Sequence, residues 1–309
     1  MKLVFFGTPN FAIPTLNALH KSEHEVLAVI TVPEKRSGRG LSKTISPVKQ
    51  LAQTLNYTIH QPLDLNDPAF LSIMNMLNAD IFVVVAYRIL PEKLISIPRA
   101  GTVNLHASLL PKYRGAAPIQ RAILNGENET GVTTFFIQKK VDTGDILLQE
   151  QYKLNSTITT GEAYHDLAIL GSDLIIKTLN LLDRNKLTQT QQNNINATLA
   201  PKISSADCLI DWNKSALIIH NQIRGLSPHP GAYTSFKNKR VKLFNSQIKT
   251  IIPPAILKPG NIQYTKHSLQ VGTGSEIIYI HEIQLEGRKR MTVSQFIAGF
   301  PQIKGDFFG

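Results

Sequence analysis

Cysteine is nearly absent: Cys208 is the single one in 309 residues. That excludes an intramolecular disulfide and any metal centre built from several thiolates, and it fits a reducing compartment. Long apolar runs are also missing. No stretch approaches the roughly 20 residues of a membrane-crossing helix. The opening run Leu3-Val4-Phe5-Phe6 is broken by Gly7 and Pro9, too early for a signal peptide. The expected location is therefore cytoplasmic, with no membrane partner. There is no HExxH and no histidine-rich cluster, so no metal is expected. GxGxxG is absent too. The first turn reads Gly7-Thr8-Pro9-Asn10-Phe11 and lacks the glycines that admit a pyrophosphate, which disfavours a dinucleotide site. A tight strand-to-helix turn accounts for Gly7. Internal repeats and low-complexity tracts are not found.

Acidic residues are outnumbered. Lys+Arg total 33 against 22 Asp+Glu, a formal net charge of +11. From Ala200 onward there are 14 basic and 6 acidic residues, so the last third carries net +8 and the first 199 residues only +3. A basic excess confined to one end is the footprint of a nucleic-acid-facing part rather than of a uniformly basic enzyme.

The length predicts two domains. Residues 2–6 and 25–31 read as strands, with a helix between them to about Leu19. Residues 81–86 (IFVVVA) are nearly continuous and β-branched, the pattern of a central parallel strand covered on both faces. Strands and helices alternate to about residue 140, so a doubly wound α/β sheet is expected. Two β-like runs, 131–137 and 145–154, and a long helix over 161–182 complete this domain, taken as residues 1–188. The stretch 184–200 is polar, rich in Gln and Asn, and ends at Pro201. It reads as a linker, taken as 189–205, and its Gln/Asn content calls for no further function. Six short β-like runs between 233 and 292 predict a small β-barrel of the OB kind over residues 206–309. Thr292-Val293-Ser294-Gln295 has the capping-box pattern of a short final helix.

Chemistry concentrates in residues 102–120, TVNLHASLLPKYRGAAPIQ. Alternation places Asn104, His106 and Ser108 on one face of a strand, and Val103, Leu105 and Ala107 on the other. A strand end presenting Asn and His before a loop is where α/β sheets place chemistry. Downstream lies Val141-Asp142-Thr143-Gly144-Asp145. Ser108 lacks GxSxG spacing, which argues against a serine nucleophile. Acyl transfer direct to a substrate nucleophile remains. It passes through a tetrahedral oxyanion to which the Asn104 amide can donate. His106 is the natural proton carrier, and Asp142 or Asp145 can orient its ring. Spacing does not choose between the two acids, since one of a pair in such a segment is often only a turn residue. A second feature is the loop at 33–44, where Lys35, Arg36, Arg39 and Lys43 face a single acid. A solvated charge run explains it. A finger that binds phosphate explains it too, with Arg39 standing between Gly38 and Gly40.

These residues resemble a known family. Asn104-Leu105-His106, Ser108-Leu109-Leu110-Pro111, Tyr113-Arg114-Gly115 and Asp142-Thr143-Gly144-Asp145 are similar to the motifs of 10-formyltetrahydrofolate-dependent formyltransferases. The likeness runs nearly end to end and includes Gly7-Thr8-Pro9, Gly38-Arg39-Gly40, Ile210-Asp211-Trp212 and Pro230-Gly231-Ala232-Tyr233. It implies a Rossmann-like catalytic domain, a C-terminal OB-like domain and 10-formyltetrahydrofolate as co-substrate. It implies Asn104, His106 and Asp142 as catalytic, and Ser108, Leu109, Leu110, Pro111, Tyr87, Arg88 and Leu90 around the folate. The basic loop and the basic C-terminal third point to members whose acceptor is initiator methionyl-tRNA. Lys35, Arg36, Arg39 and Lys43 would reach the acceptor end, and Lys237, Lys239, Arg240 and Lys242 the inner side of the tRNA. No obligate protein partner is implied, and a monomer is the expectation. One departure stands out. The family carries Ala-Tyr-Gly and one more residue before Leu-Pro, whereas here Ala86-Tyr87-Arg88-Ile89-Leu90-Pro91 is shorter and has Arg for Gly, so Arg88 is expected to reshape the pterin pocket. Two rivals remain: a sibling enzyme formylating a small amine, and a non-enzymatic RNA-binding protein on the same scaffold.

Overall fold

The computed structural model describes residues 1–37, 42–248, 257–264, 268–299 and 307–309. The elements run β1 (Lys2–Gly7), α1 (Ile13–His20), β2 (Glu25–Ile30), β3 (Lys35–Ser37), β4 (Ser42–Thr44), α2 (Pro47–Thr54), β5 (Ile59–His60), α3 (Pro68–Met76), β6 (Ile81–Val85), α4 (Glu92–Ile95), β7 (Thr102–His106), β8 (Arg114–Gly115), α5 (Pro118–Leu124), β9 (Glu129–Phe136), β10 (Ile146–Lys153) and α6 (Thr160–Asp183). They continue as β11 (Leu199–Ala200), α7 (Ser205–Cys208), α8 (Ala216–Gly225), β12 (Ala232–Phe236), β13 (Lys239–Ile248), β14 (Ile262–Tyr264), β15 (Leu269–Gly272), β16 (Ile277–Leu285), β17 (Met291–Thr292) and α9 (Val293–Gly299). No helix among the described residues is long and apolar enough to cross a membrane.

The chain divides into two compact units that interleave in sequence. One comprises 1–115, 130–153 and 164–200, the other 116–129, 154–163 and 201–309. Residues 189–200, expected as linker, fall in the first.

In the first unit a seven-stranded sheet has the order β10-β9-β7-β6-β1-β2-β5. β1 pairs in parallel with β2 and β6, and β6 with β7. The connections leave β1 in both directions, so the order reverses between β1 and β6. That is the doubly wound arrangement, and the crevice outside the carboxyl ends of those strands is its ligand position. β6 is buried at all five positions, as a continuous β-branched run covered on both faces must be. β9 joins β7 antiparallel, setting Phe135 beside Asn104 and Thr133 beside His106. Helix starts follow local chemistry: Ser46 caps α2 by accepting from the Lys49 amide, and Asp67 caps α3 from Ala69, each ahead of a proline at the first turn.

The second unit is built on an antiparallel sheet of six strands, β12-β13-β16-β15-β14 with β17 on β16. Its core gathers Trp212, Ile219, Ile223, Leu243, Val271, Ile280 and Phe296 among others. The expected small β domain is thus present. Gln295 and Thr292 close the reciprocal cap of α9. Arg121 on α5 holds Asp207 through two contacts of 2.8 and 3.0 Å. Asp207 also accepts from the Ser204 amide in the capping box of α7. The Arg121 guanidinium, then the Ser204 amide, hold the Asp207 carboxyl well below the usual carboxylate range. A carboxyl depressed in the fold contributes stability above its unfolded pKa, about 3.9, and that contribution is lost as pH falls toward the folded value. Asp207→Asn is accordingly expected to lower the thermal midpoint at neutral pH and to flatten the loss of stability between about pH 4 and pH 2. Thermal unfolding scans of both proteins across that range check it.

Candidate active site

β7 delivers the first two site residues to the carboxyl edge of the sheet. Asn104 is half-buried, and among the described residues its side chain has no hydrogen-bond partner. Its amide is free to donate to a ligand. His106 is 6% exposed. Its Nε2 lies 2.9 Å from the Tyr113 carbonyl. A carbonyl only accepts, so Nε2 carries the hydrogen. The other nitrogen, Nδ1, is then the one that can gain or lose a proton, and it stands 3.8 Å from Asp142 Oδ2. That is ion-pair range for a protonated ring, though longer than a hydrogen bond. The Phe135 ring meets the imidazole edge-on, with centroids 6.5 Å apart.

Asp142 sits at φ 54°, in the left-handed region that ordinary side chains avoid. The Gly115 amide donates to its Oδ2 at 2.8 Å, so the same oxygen serves the backbone and faces His106. Gly144 follows because nothing larger fits: a Cβ there would collide with the Phe136 carbonyl oxygen. Asp145, the rival acid of the sequence reading, instead gives its carbonyl to the Phe136 amide and holds the start of β10 against β9.

The loop after β7 is pinned from below. Thr133 Oγ1 donates to the Ser108 carbonyl at 2.6 Å and accepts from the Leu110 amide and from Gln149 Nε2. Gln149 also donates to the Leu110 carbonyl. The Ser108 hydroxyl donates to the Lys112 carbonyl at 2.6 Å and is fully buried, which removes it as a nucleophile. Leu110 is buried, and Leu109 and Pro111 are half-buried.

Beside this loop, Ala86 leaves β6 exposed and at φ 49°. The positive φ thus falls on Ala86, not on Arg88. Arg88 turns away to donate to the carbonyls of Pro62 (2.8 Å) and Leu63 (3.0 Å) and to the Tyr87 hydroxyl (2.9 Å). It ties the end of β6 to the segment after β5 across the carboxyl edge of β1 and β2. Tyr87 packs edge-on against Phe6, and Leu90 is buried. This edge combines a small exposed residue, aromatic and aliphatic walls and one unpaired amide. Such a lining fits a flat heteroaromatic co-substrate carrying a carbonyl. Tyr87, Leu90 and Leu109 would supply its walls and Asn104 its polar contact.

The expected tRNA-facing residues separate into two places. Lys35, Arg36 and Lys43 lie on the β3–β4 hairpin, where Arg36 pairs with Lys43, and Arg39 lies outside the described residues. The one acid of this loop, Glu34, is engaged by Lys49 at 2.6 Å. In the second unit, Lys237 and Asn238 form the two-residue turn between β12 and β13 at φ 49° and 59°. Lys237, Lys239 and Arg240 are exposed. Arg240 stacks on Tyr233 at 4.5 Å, and Lys242 donates to the Pro230 carbonyl at 2.7 Å.

A doubly wound sheet with Asn, His and an acid at its carboxyl edge, joined to an antiparallel β domain, defines the class, and comparison with known proteins agrees. The formyl transferase family matches residues 1–179, and its C-terminal domain matches residues 202–301. The chain belongs to the formyl transferase family. Along its whole length it is similar to proteins named methionyl-tRNA formyltransferase: 42% identical to that of Pelotomaculum thermopropionicum and 40% to that of Moorella thermoacetica, with 99% of each relative covered. Among solved structures, the sugar 3N-formyl transferase WlaRD shares the fold at a TM-score of 0.69 and 22% identity, covering 94% of this chain and 99% of that one. HypX from Aquifex aeolicus does so at 0.69 and 16%, this chain spanning 49% of it. The methionyl-tRNA formyltransferase of Clostridium thermocellum gives 0.56 and 17%, over 81% and 94% of the two chains.

Sequence reasoning missed Thr133, Gln149 and Gln192. Thr133 and Gln149 lie in runs read only as strands. Gln192 is 5% exposed, inside the stretch read as a linker needing no function, and composition does not separate it from the Gln and Asn around it. Arg88 was expected to reshape the pocket; in the structure it acts as a strap. Arg88→Ala removes three hydrogen bonds and is expected to cost about 1–3 kcal/mol of stability, read as a lowered denaturation midpoint at unchanged m-value in urea.

Proposed function

We propose that this chain transfers the formyl group of 10-formyltetrahydrofolate to the α-amino group of methionine esterified to initiator tRNA, yielding the formylated aminoacyl-tRNA used to start translation. The observation that carries the reading is the convergence of an unpaired Asn104 amide, a His106 ring with its free nitrogen toward Asp142, and the 3.8 Å approach of that carboxylate. Full-length similarity to relatives of that name supports the choice of acceptor.

When bound, 10-formyltetrahydrofolate supplies the formyl carbon and a leaving nitrogen. Asn104 donates its amide N–H to the formyl oxygen as negative charge develops there, an interaction that strengthens toward the transition state. His106 takes the proton lost by the attacking amine at Nδ1 and returns it to the leaving nitrogen, while Nε2 stays on the Tyr113 carbonyl and fixes the ring plane. Asp142 stabilises the imidazolium by its charge, and the Gly115 amide keeps Oδ2 facing the ring. Ser108 to Pro111 with Tyr87 and Leu90 shape the folate wall. Arg88 acts on that wall by fixing the ends of β5 and β6.

The unit of residues 1–115, 130–153 and 164–200 is the catalytic part, and residues 206–309 are the part that holds the tRNA. The enzyme works in the cytoplasm, where initiator tRNA is charged. Lys35, Arg36, Arg39 and Lys43 are the candidate contacts for the acceptor end, from their charge and sequence position. Lys237, Lys239 and Arg240 track phosphates, with Lys242 held nearer the sheet by Pro230. Arg240, stacked on Tyr233, presents a preoriented cation.

Two outcomes are expected. Asn104→Ala reduces formyl transfer by about 100- to 1,000-fold, the effect of losing one oxyanion donor. The assay uses 10-formyltetrahydrofolate with methionyl initiator tRNA, and uncharged tRNA and small amines as controls. Activity within a few-fold of the parent would refute the assignment. Replacing Lys239 and Arg240 by Ala weakens tRNA binding and lowers the slope of log affinity against log salt by about 1 for each phosphate no longer neutralised, measured by filter binding across a salt series.

A further inference from the structure

Gln192 uses its whole amide. Its Nε2 donates to the carbonyls of Asp142 (3.0 Å) and Gly144 (2.7 Å). Its Oε1 accepts from Arg114 Nε (3.0 Å) and Nη2 (2.7 Å). Two donors and two lone pairs are all spent, in a side chain 5% exposed. Arg114 is braced in turn: Nη2 reaches Asn194 Oδ1 at 2.9 Å, and its own amide donates to the Thr198 carbonyl at 2.9 Å. Thr198 Oγ1 accepts from the Tyr113 amide at 2.8 Å. The segment 192–200 thus grips two loops together. One carries Tyr113, whose carbonyl fixes His106, and Gly115, whose amide fixes Asp142. The other is the Asp142 turn itself.

We propose that Gln192 is the positioning residue for Asp142, setting the carboxylate toward His106 by clamping the carbonyls on either side of Thr143 to the Arg114 loop. The inference rests on Asp142 acting in formyl transfer as read above. The physical case is that the Asp142 backbone is held at φ 54°, a conformation costly for a non-glycine residue. It persists when its surroundings over-determine it, and the Gln192 amide supplies two of those restraints. Only an amide satisfies both sides at once. A carboxylate in its place would still take Arg114 but would oppose two carbonyl oxygens with negative charge. A hydrocarbon would leave both carbonyls and the guanidinium short of partners.

The test compares Gln192→Glu, Gln192→Met, Asp142→Asn and the double variant Gln192→Glu/Asp142→Asn, each as the full chain. Steady-state kinetics use 10-formyltetrahydrofolate and methionyl initiator tRNA. The expected result is a fall in kcat of about 100-fold for Gln192→Glu, the scale of misplacing a reacting group by an ångström. KM for the folate stays within about threefold of the parent. Because Gln192 acts through Asp142, the double variant is expected to be no slower than Asp142→Asn alone, the non-additivity of groups that act as one unit. A Gln192→Glu enzyme with kcat within threefold of the parent overturns the proposal, and so do losses that multiply in the double variant. If Asp142→Asn itself keeps full activity, it is the reading of Asp142 that fails, a distinct result. Loss of folded protein in both Gln192 variants, seen in thermal unfolding, also overturns the proposal, because Gln192 is then a residue of general stability.

Discussion

Asp142 at φ 54° is the constraint on which the candidate site depends. A carboxylate on a surface turn would swing freely and share its charge with water. Here the turn is tied through Gly115 at the side chain and Gln192 at the backbone, and Gly144 must follow because the Phe136 carbonyl leaves no room for a Cβ. These ties bring Oδ2 to 3.8 Å from His106 Nδ1. The Tyr113 carbonyl completes the arrangement by fixing the tautomer. If the turn relaxed, the imidazole would keep its place in the sheet and lose its charged neighbour.

The sheet supplies the rigidity this requires. β7 lies between β6 and β9, so Asn104 and His106 stand on a strand hydrogen-bonded on both sides. Thr133 and Gln149 extend that order beyond the strand, pinning Ser108 and Leu110 by side-chain bonds to the backbone. A short loop with its carbonyls and amides paired holds a wall in place better than packing alone, since a buried unpaired backbone group is costly. Arg88 does similar work on the other wall. It tightens the segment after β6 by spending its donors on Pro62, Leu63 and Tyr87.

The basic excess follows a different logic. In the β12–β13 hairpin the cations are spaced by the turn and by rings beneath them, as Lys237 over Phe236 and Arg240 over Tyr233 illustrate. Stacked and exposed, they hold positive charge outward at little desolvation cost. Lys242, further along β13, is bonded to the Pro230 carbonyl.

Much of this was legible beforehand. The unbroken β-branched run gave β6 its central position, alternation gave the strand of Asn104 and His106, and six short runs in the last third gave an antiparallel β domain. Those signals are local, because side-chain period and burial are written along the chain. The choice of Asp142 over Asp145 came from family likeness and is now accompanied by geometry: one carboxylate faces the ring, while the other residue joins β10 to β9. What the tertiary structure alone decided is the meaning of residues 189–200 and of Arg88. Polar side chains whose partners lie 48 to 85 positions away read in sequence as linker, and Arg88 reads only as a change to the pocket's shape. The partners of a hydrogen bond carry no periodicity, so pattern and spacing determined the scaffold and singled out Asn104 and His106 as candidates, while the contacts that surround them came only with the fold.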